Sequence, residues 1–123
     1  MPSHVAIWID HKEARIFHIH PDRITETTVE APQPVHRKHS DGHPTHPDDA
    51  KRFFAKVVGL VEGVDEILVV GPSTAKLEFI RYLREHAHAL EPKVIGIETV
   101  DHPTDGQLVA YAMKYFKRSD RMR

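Results

Sequence analysis

The apolar positions change their period once along the chain. Residues 5–9 (Val-Ala-Ile-Trp-Ile) are an unbroken apolar run, the pattern of a strand covered on both faces. A polar turn follows at 10–13. Over 14–19, Ile16 falls on one side and Phe17 and Ile19 on the other, and Pro21-Asp22 closes a second turn. Residues 24–30 are rich in Thr and Val, with Glu26 and Glu30 placed toward water, so they predict an outer strand. Together these three segments predict an antiparallel meander. Residues 31–47 then break the pattern: seventeen positions hold four prolines and four histidines and show no apolar period. Loops of that length are usually functional or disordered.

Beyond the loop the spacing becomes helical. Ala50, Phe53, Phe54, Val57, Val58 and Val61 form one apolar stripe. Pro47 suits the first helical position, Asp48 and Asp49 favour the positive end, and Gly63 is a plausible stop. Residues 67–70 read as a short buried strand. Gly71-Pro72 turns the chain into a second helix, capped by Ser73 or Thr74 and burying Ile80, Leu83, Ala87 and Leu90. Residues 94–100 predict another strand. Thr104 with Gln107 makes a capping box, and Leu108, Ala112 and Phe116 carry a last helix inward. The order βββ–α–β–α–β–α predicts a single α/β domain over 1–123: a mixed sheet, meander first and then βαβα, flanked by helices on both faces. The outer strand at 24–30 leaves an edge on which a second copy could pair, and its charges oppose that. The oligomeric state stays open.

Composition narrows the class. The 123 residues carry 17 Lys and Arg against 18 Asp and Glu, a net charge of −1 with histidine neutral, and 40% are hydrophobic. No run reaches the ~18–20 apolar residues of a membrane span, so no membrane partner is expected. The start of the chain does not have the charged-then-apolar form of a signal peptide, and cysteine is absent. A cytoplasmic protein is the expectation. Near-neutral totals exclude a binder of nucleic acid dominated by overall charge, but not a local patch. Two imbalances survive: a basic end, where Lys114, Lys117, Arg118, Arg121 and Arg123 face one acid, Asp120, and 11 histidines, which make the chain markedly cationic on mild acidification.

Several strings resemble one family, the middle domain of eukaryotic and archaeal class I peptide-chain release factors and of their ribosome-rescue relative Pelota. The opening hairpin resembles residues 7–19, with Asp10 at the turn and Glu13-Ala14-Arg15-Ile16 restarting the strand. The family's strand, Gly-Pro, Lys and aromatic-Tyr-Leu order is similar to Val69-Val70-Gly71-Pro72, Lys76, Phe79 and Tyr82-Leu83. Its last strand and helix resemble residues 93–100 and Gly106-Gln107-Leu108. The resemblance covers nearly the whole chain and implies a ribonuclease-H-like fold and ribosome work. In release factors the loop before the first long helix carries a basic stretch and then Gly-Gly-Gln, which supports hydrolysis of peptidyl-tRNA. Here His36-Arg37-Lys38 keeps the basic stretch, but His39-Ser40-Asp41 follows it. Two glycines allow backbone angles and close approach to RNA that histidine and serine resist. Pelota-type proteins also do without the tripeptide. Neither the codon-reading nor the partner-binding domain of a full-length factor is expected in this chain.

The resemblance therefore implies a non-catalytic module that binds the ribosome, through rRNA or tRNA, or a translation factor. The binding residues would be His36, Arg37, Lys38, His39 and His43, with Arg37 and Lys38 on phosphate. Three other constellations compete with or extend this reading. His36, His39, His43 and His46, spaced three, four and three apart, could hold zinc or another divalent metal, although structural zinc sites usually include cysteine; no cofactor is the default. Ser73, Thr74 and Lys76 at a helix start could attract an anion, without the spacing of a P-loop. Asp10 stands where ribonuclease-H-like nucleases keep a metal-binding carboxylate, with Asp65, Asp101 and Asp105 as further acids for a metal-dependent hydrolase or nuclease. Asp101, His102 and Ser73 supply the residue types of a hydrolase triad but not its nucleophile elbow. A further alternative is a pH-responsive protein-interaction module that uses the histidines.

Overall fold

In the computed structural model, residues 3–32 and 47–121 are described. Three strands open the chain: β1 (His4–Ile9), β2 (Glu13–Ile19) and β3 (Ile24–Glu30). Then come α1 (Pro47–Val61), β4 (Glu66–Gly71), α2 (Ala75–His86), a 3-10 turn at Glu91–Lys93, β5 (Val94–Thr99) and α3 (Asp105–Arg121). The five strands form one sheet in the order β3-β2-β1-β4-β5. β1 pairs antiparallel with β2, placing Ile7 opposite Ile16, and parallel with β4, placing Ile7 opposite Val69. β2 pairs antiparallel with β3 and β4 parallel with β5. This is the expected mixed sheet, with the meander on one side and the βαβα unit on the other.

The unbroken apolar run of β1 is explained by its central place. Val5, Ile7 and Ile9 face a core filled by Phe53, Phe54, Val57 and Val61 of α1 and Phe79, Ile80 and Leu83 of α2. Ala6 and Trp8 face the other layer, with Leu68, Val70 and the Leu108, Ala112 and Phe116 stripe of α3. The two edge strands carry the polar positions, and Val29 is the one residue of β3 that is buried. No helix among the described residues is long and apolar enough to cross a membrane.

Local signals account for most boundaries. Pro47 opens α1, and Gly63, two residues past its end, takes a φ of 85°, which L side chains resist. Thr104 and Gln107 form the expected reciprocal box: the Thr104 amide donates to Gln107 Oε1 at 3.0 Å and the Gln107 amide to Thr104 Oγ1 at 3.2 Å. The second helix departs from expectation. It stops at His86, and Leu90 enters the core from the following turn instead of from the helix face. Pro92 restricts Glu91 before it, so the chain turns toward β5 instead of continuing the helix. Thr74 stands at the cap position without a capping bond from its side chain. α3 runs on through residues 117–121, which begin the basic C-terminal segment 117–123.

Candidate functional site

β3 runs parallel to β1, so the chain leaves the sheet toward the 31–47 loop at the same end as Asp10. Glu30 pairs with Glu13, and the Ala31 amide donates to the Lys12 carbonyl at 2.8 Å. The root of the loop is thus tied to the β1–β2 turn. On its far side Pro47 starts α1, whose buried stripe fixes it to the core. The loop residues expected to bind RNA (His36, Arg37, Lys38, His39 and His43), with His46 of the alternative metal set, lie outside the described residues.

Beside this root is an open groove lined by Asp10, His11, Lys12, Glu13, Pro72, Ser73 and His102. Asp10 organises the turn: its Oδ1 accepts from the amides of Lys12 at 2.8 Å and Glu13 at 2.9 Å. Its Oδ2 lies 3.9 Å from His102 Nε2, while His102 Nδ1 sits 2.9 Å from Asp101 Oδ1. Across the groove His11 Nε2 meets Glu78 Oε2 at 3.1 Å, and Thr74 Oγ1 donates to the same oxygen at 3.2 Å.

Among the described residues, the acids and the Ser73–His102 pair are not arranged as either expected enzyme site. Two-metal cleavage needs several carboxylates aimed at shared ions. Asp10 instead spends one oxygen as a turn acceptor, Asp105 is taken by Arg15 at 2.6 Å, and Asp65 lies at the opposite end of β4. There it accepts from the Ser3 amide at 2.8 Å, and that bond, with the Ser3 hydroxyl, holds its carboxyl below the usual aspartate value. The triad reading brings Ser73 and His102 to one groove, yet Ser73 Oγ is screened from solvent and bonds no described residue. His102 turns to the two aspartates. The turn at 73–76 is likewise occupied with itself: Lys76 is 7% exposed and donates Nζ to the Ser73 carbonyl at 2.6 Å. An anion arriving there would have to displace that bond.

What the sequence did not signal is a second cluster under the groove, built on Trp8. The indole is 1% exposed and donates Nε1 to the Asp101 carbonyl at 2.9 Å. Arg15 Cζ lies 4.5 Å from the centre of its ring, and His102 leans on it at 5.2 Å. Arg15 also donates to the Pro103 carbonyl at 3.2 Å. One buried ring and one guanidinium therefore pin the 100–105 connection that carries His102. The partners are separated by about 90 positions, so no local spacing announces them.

Glu26 on β3 joins the rim of this cluster. Partial desolvation raises its pKa above the usual 4.5, helped by a hydrogen bond to Asp105 and by the charges of Asp105 and Glu13, with Arg15 opposing. A carboxyl raised in the folded state contributes stability below its ordinary value, and that contribution is lost as pH rises through the folded value. Glu26→Gln is therefore expected to raise the melting temperature at pH 7 relative to the parent, with the gap closing toward pH 4; thermal melts across that range measure it.

The described basic residues of α3 lie elsewhere. α3 starts beside Arg15 and runs back along β1, so that Phe116 packs on His4 with ring centres 4.6 Å apart. Lys114, Lys117 and Arg118 therefore belong to the end of the sheet opposite the root of the loop, and the fold does not set them beside it. At that same far end, donor atoms of His4, Glu66 and Asp120 come within 4.8 Å of one another.

No protein-family model matches the chain, and no curated protein matches it in sequence. Solved structures do match in fold. Pelota from Archaeoglobus fulgidus superposes on 95% of the chain with a TM-score of 0.64 and 17% identity. Pelota from Thermoplasma acidophilum covers 85% with a TM-score of 0.59 and 25% identity. In fold, the chain resembles a Pelota domain. An archaeal translation termination factor gives a TM-score of 0.59 over 94% of the chain at 17% identity. The Pelota-like chain spans only 31%, 30% and 40% of those three proteins.

Proposed function

We propose that this domain is a non-catalytic, cytoplasmic, translation-associated module that binds the ribosome through rRNA or tRNA. Arg37 and Lys38 contact phosphate, and His36, His39 and His43 add contacts and, when protonated, charge. The observation that carries this reading is the position of the basic stretch. It falls between the third strand and the first long helix of a Pelota-like fold, and both ends of that connection are tied to a packed core. A rigid root limits the entropy lost when a loop docks. None of the six glycines in the chain is next to another, so Gly-Gly-Gln is absent from the sequence. The groove beside the root also lacks an exposed nucleophile with a base aimed at it among the described residues.

The test is sedimentation of the protein with purified ribosomes at several salt concentrations. Binding should weaken as salt rises, because phosphate contacts release counterions. Arg37→Ala with Lys38→Ala should lower the affinity on the order of tenfold and flatten the salt dependence, by roughly 0.7–0.9 in log–log slope per lost contact. Programmed ribosomes carrying peptidyl-tRNA should release no peptide on addition of the protein. Absence of co-sedimentation, or binding indifferent to the double substitution, overturns the binding reading; peptide release overturns the non-catalytic one.

A further inference from the structure

We propose that the cleft between α3 and the 100–103 connection receives an unpaired guanine base of a single-stranded RNA, whose phosphates lie along Lys114 and Arg118. The cleft is open, about 620 Å³ in volume, and shares His102 with the groove of Asp10. Val100, Pro103, Leu108 and Tyr111 give it apolar faces, and Tyr111 is 37% exposed. One wall is fixed from beneath, where Trp8 Nε1 donates to the Asp101 carbonyl at 2.9 Å and Arg15 to the Pro103 carbonyl at 3.2 Å. A wall held in place before binding loses little freedom when a ligand arrives. The site is separate from the 31–47 loop and does not depend on the function proposed for that loop.

The polar groups of the cleft select the base. The Asp101 side chain is 94% exposed, and among the described residues only His102 Nδ1 meets it, 2.9 Å from Oδ1. Gln107 Oε1 already accepts from the Thr104 amide at 3.0 Å, so the group it has left to offer is its NH2 donor. An accepting carboxylate beside a donating amide complements guanine, whose pairing edge carries two adjacent N–H donors next to a carbonyl oxygen. Adenine and hypoxanthine each present a single donor position on that edge. An exposed tyrosine supplies the platform on which a base stacks. The helix then supplies the charge. Lys114 and Arg118 follow Tyr111 at i+3 and i+7, so one face of α3 carries the ring and two cations over about 10 Å. Both cations are exposed and make no ion pair among the described residues, and the charge of Arg118 reaches the Tyr111 hydroxyl. Lys114 stands about two turns before the end of the helix, farther in than the dipole of the last turn acts, so the dipole does not account for it. The acid beside this face, Glu98, accepts from the Tyr115 hydroxyl at 3.1 Å.

The experiment titrates the full chain, carrying Arg37→Ala and Lys38→Ala to remove the loop cations, with the RNA pentamer U-U-G-U-U and follows the indole N–H resonance by NMR. Trp8 is the only tryptophan and its N–H is bonded to the Asp101 carbonyl, so this one signal reports on the wall of the cleft. Expected is a saturable shift, with the pentamers carrying adenosine or inosine at the centre binding on the order of tenfold more weakly. Asp101→Asn changes only an exposed side chain and keeps the main-chain carbonyl; it should bring the three pentamers to about equal affinity. Lys114→Ala with Arg118→Ala should weaken all three alike and flatten the log–log salt slope by roughly 0.7 per lost contact. Guanosine monophosphate should bind more weakly than the guanosine pentamer. Equal affinity of the two would mean that the cleft takes a free nucleotide and overturns the RNA assignment. An indole signal that no pentamer moves, or one that all three move alike before and after Asp101→Asn, overturns the site.

Discussion

Trp8→Ala is expected to cost about 3–5 kcal/mol of stability, the range for removing a large aromatic from a packed core. Domains of this size are commonly held by ~5–15 kcal/mol, so the variant should be close to unfolding. Three losses combine. The indole fills the layer between the central strand and α3 at 1% exposure. It anchors the Asp101 carbonyl, and it is the face on which Arg15 lies. Trp8→Phe separates these effects, because it keeps most of the packing and the ring face and loses only the indole N–H. That variant should cost about 1–2 kcal/mol, the scale of one buried hydrogen bond with its stranded acceptor. Urea unfolding followed by circular dichroism checks both values, since Trp8 is the only tryptophan and fluorescence would vanish with it. Amide exchange at 100–105 should accelerate in Trp8→Phe more than exchange in α1, because the released carbonyl belongs to that connection. Equal acceleration everywhere would mean that the ring acts only through bulk packing.

The elements that could be read from the chain are those whose cause is local. The helical stripe from Ala50 to Val61, the Thr104–Gln107 box and the apolar run of β1 each fix their own geometry with neighbours a few positions away. The outer place of β3 followed from its polar positions, and the sheet bears this out. α2 ends earlier than its apolar spacing predicts, because the spacing of Ile80, Leu83, Ala87 and Leu90 continues past His86 while the helical backbone does not. Hydrophobic residues at helical intervals report which side faces the core; they do not report whether the chain reaches the core as a helix or as a turn. The site was less legible than the fold. Trp8 and Arg15 looked like ordinary strand residues, and their role depends on a connection from the far end of the chain that only the sheet order brings over them. The groups singled out at 73–76 have the right chemistry for an anion and the wrong disposition, since Lys76 turns inward to a carbonyl three residues back. The basic residues Lys114, Lys117 and Arg118 could not be placed from the sequence; the direction of α3 carries them to the end of the sheet opposite the root of the loop.

Gly71→Ala is expected to be the other severe change, for a reason unrelated to turn angles. Gly71 ends β4 where that strand passes the end of β1, and a Cβ at this position would press into the Ile9 carbonyl oxygen, far inside van der Waals contact. The obstacle is backbone of the central strand, which cannot swing aside as a side-chain tip can. Overpacking of this kind typically costs 1–3 kcal/mol and sometimes more, and a collision with a fixed main chain places this variant at about 3 kcal/mol or above. The same carbonyl immediately precedes Asp10, whose turn ties down the root of the loop, so the strain should spread there. Gly59→Ala supplies the contrast. Gly59 is an exposed residue of α1 with nothing within 4 Å of the added carbon, so alanine there should stabilise by about 0.5–1 kcal/mol through helix propensity alone. Gly96→Ala should fall between the two, because the atom in the way is the hydroxyl end of Tyr115, which can rotate at the expense of its bond to Glu98. Chemical denaturation of the three variants should therefore rank them Gly59, Gly96, Gly71 from most to least stable. A Gly71→Ala protein as stable as the parent would mean that the ends of β1 and β4 are farther apart than this register holds them.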